Sequence, residues 1–436
     1  MNEKSLKRDI FLLALPVIGE NILQTLLGTV DTYFAGSLSD EAIAAIGVTN
    51  LVMNIFISFF TAVSVGTSAV VARSRGKEDA EGALRSIFHS FVLAAVPGIF
   101  TGLVCLCFSG GILRLSGAEN AVMSETVPYY TAVAVPCVFL CLQLTLSACL
   151  RALKDTKTPM YATAITNCVN IALNFVFIKL GMGILGLGLA TTISRAAGAL
   201  LLFAALLKGR SGIGIKVFSP RWSEFKKILK IGLPAGGEKL IMRIGQLIYS
   251  SMIISIGTAS YVAHSIAGSI ESYSYIPAMG FGLAVCTAVG VALGQGQPSL
   301  SKRQTFAAYR MTAVIMTVIG AVFFIFARPL SALFTDTEEV IALSASVLRI
   351  IALFQPFAAL VQVMTGALQG AGDTKFPMYS TFLGIWGIRL GIGSLFAFVF
   401  DMGLKGVWLA YALDVTVRGI LLLVRFMRGK WQKIMI

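Results

Sequence analysis

Seven ionisable side chains stand inside long apolar runs of this sequence: Glu20, Asp31, Glu238, Arg243, Glu271, Arg389 and Asp414. Asn21, Gln24, Asn54, Asn170, Asn174 and Gln246 are their neutral polar companions. If those runs lie in lipid, each ionised group costs roughly 3 kcal/mol at the bilayer centre, so each calls for either a function or a compensating partner. Asp31 has Thr29, Thr32 and Tyr33 around it and no basic residue within a turn. A carboxylate in that setting can load and release a cation or proton, or it can be a hydrogen-bonded structural group. Asn170 and Asn174 are four residues apart, which puts two amides on one helix face. They can solvate Asp31, coordinate Na⁺, or simply bond between helices. Glu20 follows Pro16 by four residues, where a proline kink frees a backbone carbonyl; architecture and function are both open to it. Glu271, Arg389 and Asp414 can form a charge network in the second half of the chain or a second cation or substrate site, and Glu238 joins that set. Tyr249, Tyr273, Tyr275, Met279 and Trp386, with Tyr33 and Gln24, would suit an aromatic cavity for bulky organic cations; such residues are also ordinary helix packing.

The elements that must position these groups follow from composition. The chain is 56% hydrophobic and 13% charged, with a mean hydropathy of +0.83; a soluble globule cannot hide that much apolar surface. The apolar residues fall in runs of roughly 20 or more, the length a membrane-spanning helix needs, and not in short alternating segments. The pattern predicts an all-α polytopic protein with spans at 9–36, 41–73, 83–109, 120–151, 158–180, 186–208, 231–256, 261–294, 304–327, 338–370, 376–400 and 404–427. Alternate connections collect the basic residues, among them Arg73, Arg75, Lys77, Arg85, Arg151, Lys154, Lys157 and the cluster from Lys208 to Lys230, whereas the opposite set holds only Arg114, Lys179, Arg328 and Lys405. By the positive-inside rule both termini face the cytoplasm, and the net charge of +14 belongs to the membrane surface and not to nucleic acid. No cleaved leader is expected, since no small-residue cleavage site follows the first apolar run. The seven cysteines lie in apolar spans and read as packing residues without a disulfide framework; with His89 and His264 far apart, no metal site is expected. No clustered nucleophile and base suggests an enzyme.

Sliding the sequence by about 218 positions superposes its halves. Leu15, Pro16 and Glu20 fall on Leu233, Pro234 and Glu238, and Asp155-Thr156-Lys157 with Pro159-Met160-Tyr161 falls on Asp373-Thr374-Lys375 with Pro377-Met378-Tyr379. A two-residue drift later sets GLGLA at 186–190 on GVWLA at 406–410. The offset spans six helices, an even number, so both halves enter the membrane from one side as parallel repeats. Pro159 and Pro377 mark helix starts after tight turns, where Asp155 and Asp373 can accept from free amides. The expected organisation is an N-lobe at 1–208, a cytoplasmic linker at 209–230 and a C-lobe at 231–436. From Ser219 the linker pattern is that of a basic amphipathic helix on the inner leaflet.

The duplicated twelve-helix plan, the segment LPVIGENILQTLLGTVDTYFAG in the first span, the paired DTK-x-PMY turns and VNIALNFVFIKLGMGILGLGLAT across the fifth and sixth spans resemble the multidrug and toxic compound extrusion (MATE) family. The resemblance implies two pseudo-symmetric six-helix lobes in a V-shaped arrangement. It implies cation coupling at the first-span carboxylate, here Asp31, and at the fifth-span pair, here Asn170 and Asn174. The second of that pair is Asp in some members, so this chain carries one fewer N-lobe carboxylate. The first-span proline implicated in bending matches Pro16, with Glu20 beside it, and Glu238 lies in the seventh span, where some members carry an acidic residue. Together these readings point to a monomeric secondary transporter in a bacterial cytoplasmic (inner) membrane. It would export amphipathic, often cationic drugs or toxic compounds in antiport with H⁺ or Na⁺ by alternating access, without a cofactor. No G-x-x-x-x-G-K-[ST] pattern is present to supply ATP. The alternative is a lipid-linked oligosaccharide flippase of the same superfamily, which would be expected to line its cavity with more basic residues than Arg243, Arg389 and Arg195.

Overall fold

In the computed structural model of the chain, the described residues are 3–116, 122–208 and 218–434. They form helices throughout. Ten are long and apolar enough to cross a membrane, and two further pairs, α5/α6 and α13/α14, reach that length only as bent spans, so up to twelve crossings result. The N-terminal set is α1 (Glu3–Gly36), α2 (Asp40–Gly76), α3 (Ala80–Cys107), α4 (Ser109–Leu115), α5 (Met123–Ala134), α6 (Val138–Ala152), α7 (Lys157–Lys179) and α8 (Gly183–Leu207). The remainder is α9 (Trp222–Ile256), α10 (Thr258–Gly294), α11 (Pro298–Ile325), α12 (Ala327–Ala332), α13 (Glu338–Leu353), α14 (Gln355–Gly370), α15 (Lys375–Phe382) and α16 (Gly403–Met427). Beyond Phe382, α15 continues in π-helical winding over Leu383–Ile392 and Leu395–Val399.

Local chemistry sets several ends. Ser39 accepts the Ala42 amide at 3.1 Å and Asp79 the Gly82 amide at 2.8 Å, satisfying free donors at the starts of α2 and α3. The two DTK turns share one backbone: Asp155 N–H bonds Leu150 O at 2.9 Å and Asp373 N–H bonds Leu368 O at 2.8 Å. Each turn needs a left-handed residue one place earlier, Gly372 (φ 86°) in the second copy and the costlier Lys154 (φ 67°) in the first. Asp155 accepts from the Thr158 amide at 3.0 Å and its hydroxyl at 2.7 Å, as a helix-start acceptor should. Asp373 does otherwise. The residue matching Thr158 is Phe376, which has no hydroxyl, and Asp373 pairs with Arg425 at 2.8 Å.

Two expected spans are broken. The fourth bends by 42° between α5 and α6 around Pro136, and the tenth by 57° between α13 and α14 next to Pro356. Proline removes a ladder donor and crowds the preceding turn, so a uniformly apolar run does not make a straight helix. The expected amphipathic linker helix is also not separate: α9 runs unbroken from Trp222 to Ile256. The polar part of that linker, 209–217, and positions 120–121 at the start of the fourth span lie outside the described residues.

The chain forms two compact units, Gly19–Gly236 and Met1–Ile18 with Gly237–Ile436. The division therefore falls inside α1 and α9. In the N-terminal unit a Cβ on Gly66 would come within 2.2 Å of Ile228 O, and one on Gly232 within 2.2 Å of Ala62 O, so the first part of α9 lies backbone to backbone on α2. In the C-terminal unit Leu6, Ile10 and Ala14 of α1 join the core of Phe281, Val285, Met364 and Trp431. Gly366 and Gly370 of α14 press against the Gly282 and Cys286 carbonyls of α10 (built Cβ to O, 2.1 and 2.2 Å). α1 runs on through Pro16, and the unit boundary falls two residues later.

Candidate functional site

In the N-terminal unit, Asp31 of α1 is buried (5% exposed) against α7 and α8. The Asn174 amide donates to its Oδ1 at 3.0 Å and the Thr191 hydroxyl to its Oδ2 at 2.9 Å. Asn174 Nδ2 also reaches Asn170 Oδ1 at 3.1 Å, and Asn170 Nδ2 lies 3.4 Å from Thr191 Oγ1. The three expected coupling residues therefore meet, because i, i+4 spacing presents both amides to one neighbour. Thr191 completes the set. No Lys, Arg or His nitrogen lies within 4.0 Å of Asp31 among the described residues. Asn174 Oδ1 is buried without a hydrogen-bond partner. A carboxylate held only by neutral donors, beside amide and hydroxyl oxygens, can accept a proton or offer an oxygen cage to a small monovalent cation.

Glu20 in the same unit is a different kind of group. Arg151 Nη1 lies 2.9 Å from both of its carboxylate oxygens, and the pair is buried. Charge counting groups Arg151 with the cytoplasmic basic residues; it is in fact a counter-ion at the end of α6. Its repeat partner is Gln369, and there Glu238 receives only long contacts, from Gln369 Nε2 at 3.3 Å and Thr381 Oγ1 at 3.4 Å. The same carboxylate position is thus charge-paired in one unit and only hydrogen-bonded in the other. Arg243 is exposed towards Gln246 at 3.3 Å and does not join Glu238.

The C-terminal unit gathers Glu271, Arg389 and Asp414, but not as a chain of direct ion pairs. Arg389 grips Asp414 Oδ2 through Nη2 at 2.6 Å and Nε at 3.0 Å, and Arg418 adds a contact at 3.1 Å. Glu271 receives the Tyr411 hydroxyl at 2.7 Å, and the Tyr275 hydroxyl lies 2.7 Å from that of Tyr411. The Arg389 guanidinium stacks over the Tyr411 ring at 3.9 Å. The π-winding of the helix after Phe382 sets this geometry, since a wider turn changes which side chains face inwards. Gly384 sits where any Cβ would come within 2.0 Å of Asp414 Oδ1.

The repeat relates the two centres. Tyr249 occupies the place of Asp31, and with the two-residue drift Tyr411 occupies that of Thr191. Both tyrosines face inwards, Tyr249 with its hydroxyl on Val407 O at 3.2 Å and its ring 5.7 Å from the Arg389 guanidinium. Tyr249 is therefore interior packing, not open cavity wall. Of the other aromatic candidates Tyr33, Tyr273 and Met279 are exposed, as is Gln24, while Tyr275 and Trp386 are half-buried. Thr191, Tyr411, Arg418 and Arg151 were not singled out by sequence. The drifted repeat could have flagged Tyr411 through Thr191, and the i, i+4 spacing from Asp414 could have flagged Arg418. Of the cysteines, Cys107 and Cys168 are exposed and the other five are buried.

The MatE family model matches residues 16–176 and 234–395, one match in each repeat. A Thermotoga maritima protein named probable multidrug resistance protein NorM is 32% identical over 439 residues, covering 98% of this chain and 94% of its own length. The uncharacterized transporter YisQ of Bacillus subtilis is 27% identical over 445 residues, covering 97% and 94% of the two chains. Among solved structures, a transporter of the MOP superfamily from Pyrococcus furiosus superposes with a TM-score of 0.92 at 25% identity, covering 99% of this chain and 97% of that one. With a family match in both halves and a similar full-length relative, the chain belongs to the MatE family of multidrug and toxic compound extrusion transporters.

Proposed function

We propose that the protein is a secondary efflux transporter that exports small amphipathic, often cationic compounds in exchange for H⁺ or Na⁺ by alternating access. The observation that carries the reading is Asp31, buried, with the neutral donors of Asn174 and Thr191 hydrogen-bonded to its two oxygens. Relatives named for multidrug resistance support the substrate class. In the cycle, the carboxylate takes up the ion from one side of the membrane, and loading changes the hydrogen bonds that tie α1 to α7 and α8. Release on the other side restores them, so ion occupancy and the conformation of α1 are coupled. Pro16 gives α1 a place without a ladder hydrogen bond. The protein is proposed to act as a monomer in a bacterial inner membrane, and the distribution of basic residues supports an orientation with both termini in the cytoplasm.

Transport in proteoliposomes under imposed pH or Na⁺ gradients tests this, wild type against Asp31→Asn. The variant is expected to bind substrate but to lose gradient-driven efflux. Efflux coupled to either gradient at the wild-type rate would refute the assignment.

A further inference from the structure

Between the start of α7 and the end of α8, in the N-terminal unit, lies a groove of about 400 Å³, a volume that suits a small ligand. Ile165 of α7 and Leu201, Ala204 and Ala205 of α8 make its apolar part. Thr158, Tyr161 and Lys208 line the end nearest the first DTK turn. Tyr161, Ile165 and Leu201 are 58%, 45% and 39% exposed, so the groove is open. Asn170 and Asn174 project from the other side of α7, where Asn174 meets Asp31. The groove therefore faces away from the interior of the unit, and in a membrane an exposed apolar face of this kind meets lipid.

In the C-terminal unit the same place is filled. Phe376 stands where Thr158 does, and the two-residue drift sets Arg425 on Ala205 and Arg428 on Lys208. The Arg425 guanidinium lies 5.2 Å from the Phe376 ring centre and holds Asp373 at 2.8 Å. Thr158 and Ala205 are too small to meet in that way, and Asp155 is satisfied by the Thr158 amide and hydroxyl instead. The groove is the volume that an aromatic ring and a guanidinium occupy in the other repeat.

Charge at the open end selects the ligand. Among the described residues nothing hydrogen-bonds to or pairs with the Tyr161 hydroxyl or the Lys208 ammonium. Lys157, one turn before Tyr161 on the same face of α7, is exposed as well. Neither α7 nor α8 contains an acidic residue. An apolar slot thus runs from two ammonium groups and a hydroxyl into the bilayer, which fits an anionic amphiphile and opposes a cationic one.

We propose that the groove between α7 and α8 is a binding site for one anionic phospholipid, its acyl chain along Ile165, Leu201 and Ala204 and its phosphodiester at Lys208, Lys157 and the Tyr161 hydroxyl. The lipid comes from the leaflet on the side that the basic residues mark as cytoplasmic. A zwitterionic lipid fills the slot equally well but brings its own cation to the ammonium groups, so discrimination rests on charge. Each lysine contributes about a fivefold preference.

Native mass spectrometry of the full chain, released from nanodiscs of equal phosphatidylglycerol and phosphatidylcholine, tests this. One phosphatidylglycerol is expected to stay bound under activation that strips the remaining lipid, and Lys208→Ala to lower its preference about fivefold. Thr158→Phe combined with Ala205→Arg copies the filled arrangement, with Asp155 as the acceptor, and should abolish retention although it adds a positive charge. General attraction of basic residues to anionic lipid would instead strengthen with that charge. Equal retention of both lipids by the wild type, or unchanged retention in the filled variant, overturns the proposal. Should the filled variant not fold, Lys208→Glu at the exposed helix end should erase the preference, and a preserved preference is equally fatal. Inorganic phosphate and tetraphenylphosphonium, each added to the wild type, are expected to leave phosphatidylglycerol bound. Displacement by phosphate would make this an ion site and displacement by tetraphenylphosphonium a cation site, and either refutes the lipid assignment.

Discussion

Replacing Arg151 by Gln would give the N-terminal unit the arrangement that the C-terminal unit already has, where Gln369 faces Glu238. The outcome should nevertheless be unfavourable. Arg151 touches both oxygens of Glu20 at 2.9 Å in a buried setting, and removing one member of such a pair typically costs about 3–5 kcal/mol. The loss should be largely rescued by adding Glu20→Gln, which leaves two amides in place of two charges. The assay is a double-mutant cycle in unfolding free energy, measured by denaturant titration of purified protein in one lipid-detergent mixture. An Arg151→Gln loss below about 1 kcal/mol, or no rescue in the double variant, would refute the view of Glu20 as a buried charge held by this arginine.

Other outcomes follow from single contacts. Thr191→Val removes the hydroxyl 2.9 Å from Asp31 Oδ2 and should shift the ion concentration for half-maximal transport on the order of tenfold, read from flux against pH or Na⁺; an unchanged midpoint places Thr191 outside the site. Asn174→Ala is expected to change cation dependence as well, and lower expression with wild-type ion dependence would instead mark it as structural. Gly384→Ala sets a methyl within 2.0 Å of Asp414 Oδ1 and should cost about 1–3 kcal/mol or a visible loss of folded yield. Gly66→Ala tests the packing of α9 on α2 in the same way, since its Cβ would meet the Ile228 carbonyl at 2.2 Å.

Composition and spacing were enough to reveal a twelve-span repeat protein. Hydrophobic run length answers to bilayer thickness, and the DTK-x-PMY turns recur as one local backbone motif. They also singled out Asp31, Asn170 and Asn174, because an isolated intramembrane carboxylate and an i, i+4 amide pair are visible along the chain itself. Tertiary structure alone decided which charges are paired. Arg151 reads as one more cytoplasmic arginine until the fold brings it to Glu20, 131 positions away, and Glu271 is separated from its Tyr411 donor by 140. Nothing in a window of sequence states such a distance. The winding after Phe382 and the bends between α5 and α6 and between α13 and α14 belong to the same category. Apolar composition specifies that a segment is buried in lipid, but the helical period it adopts and the angle at which it breaks are set by what packs against it.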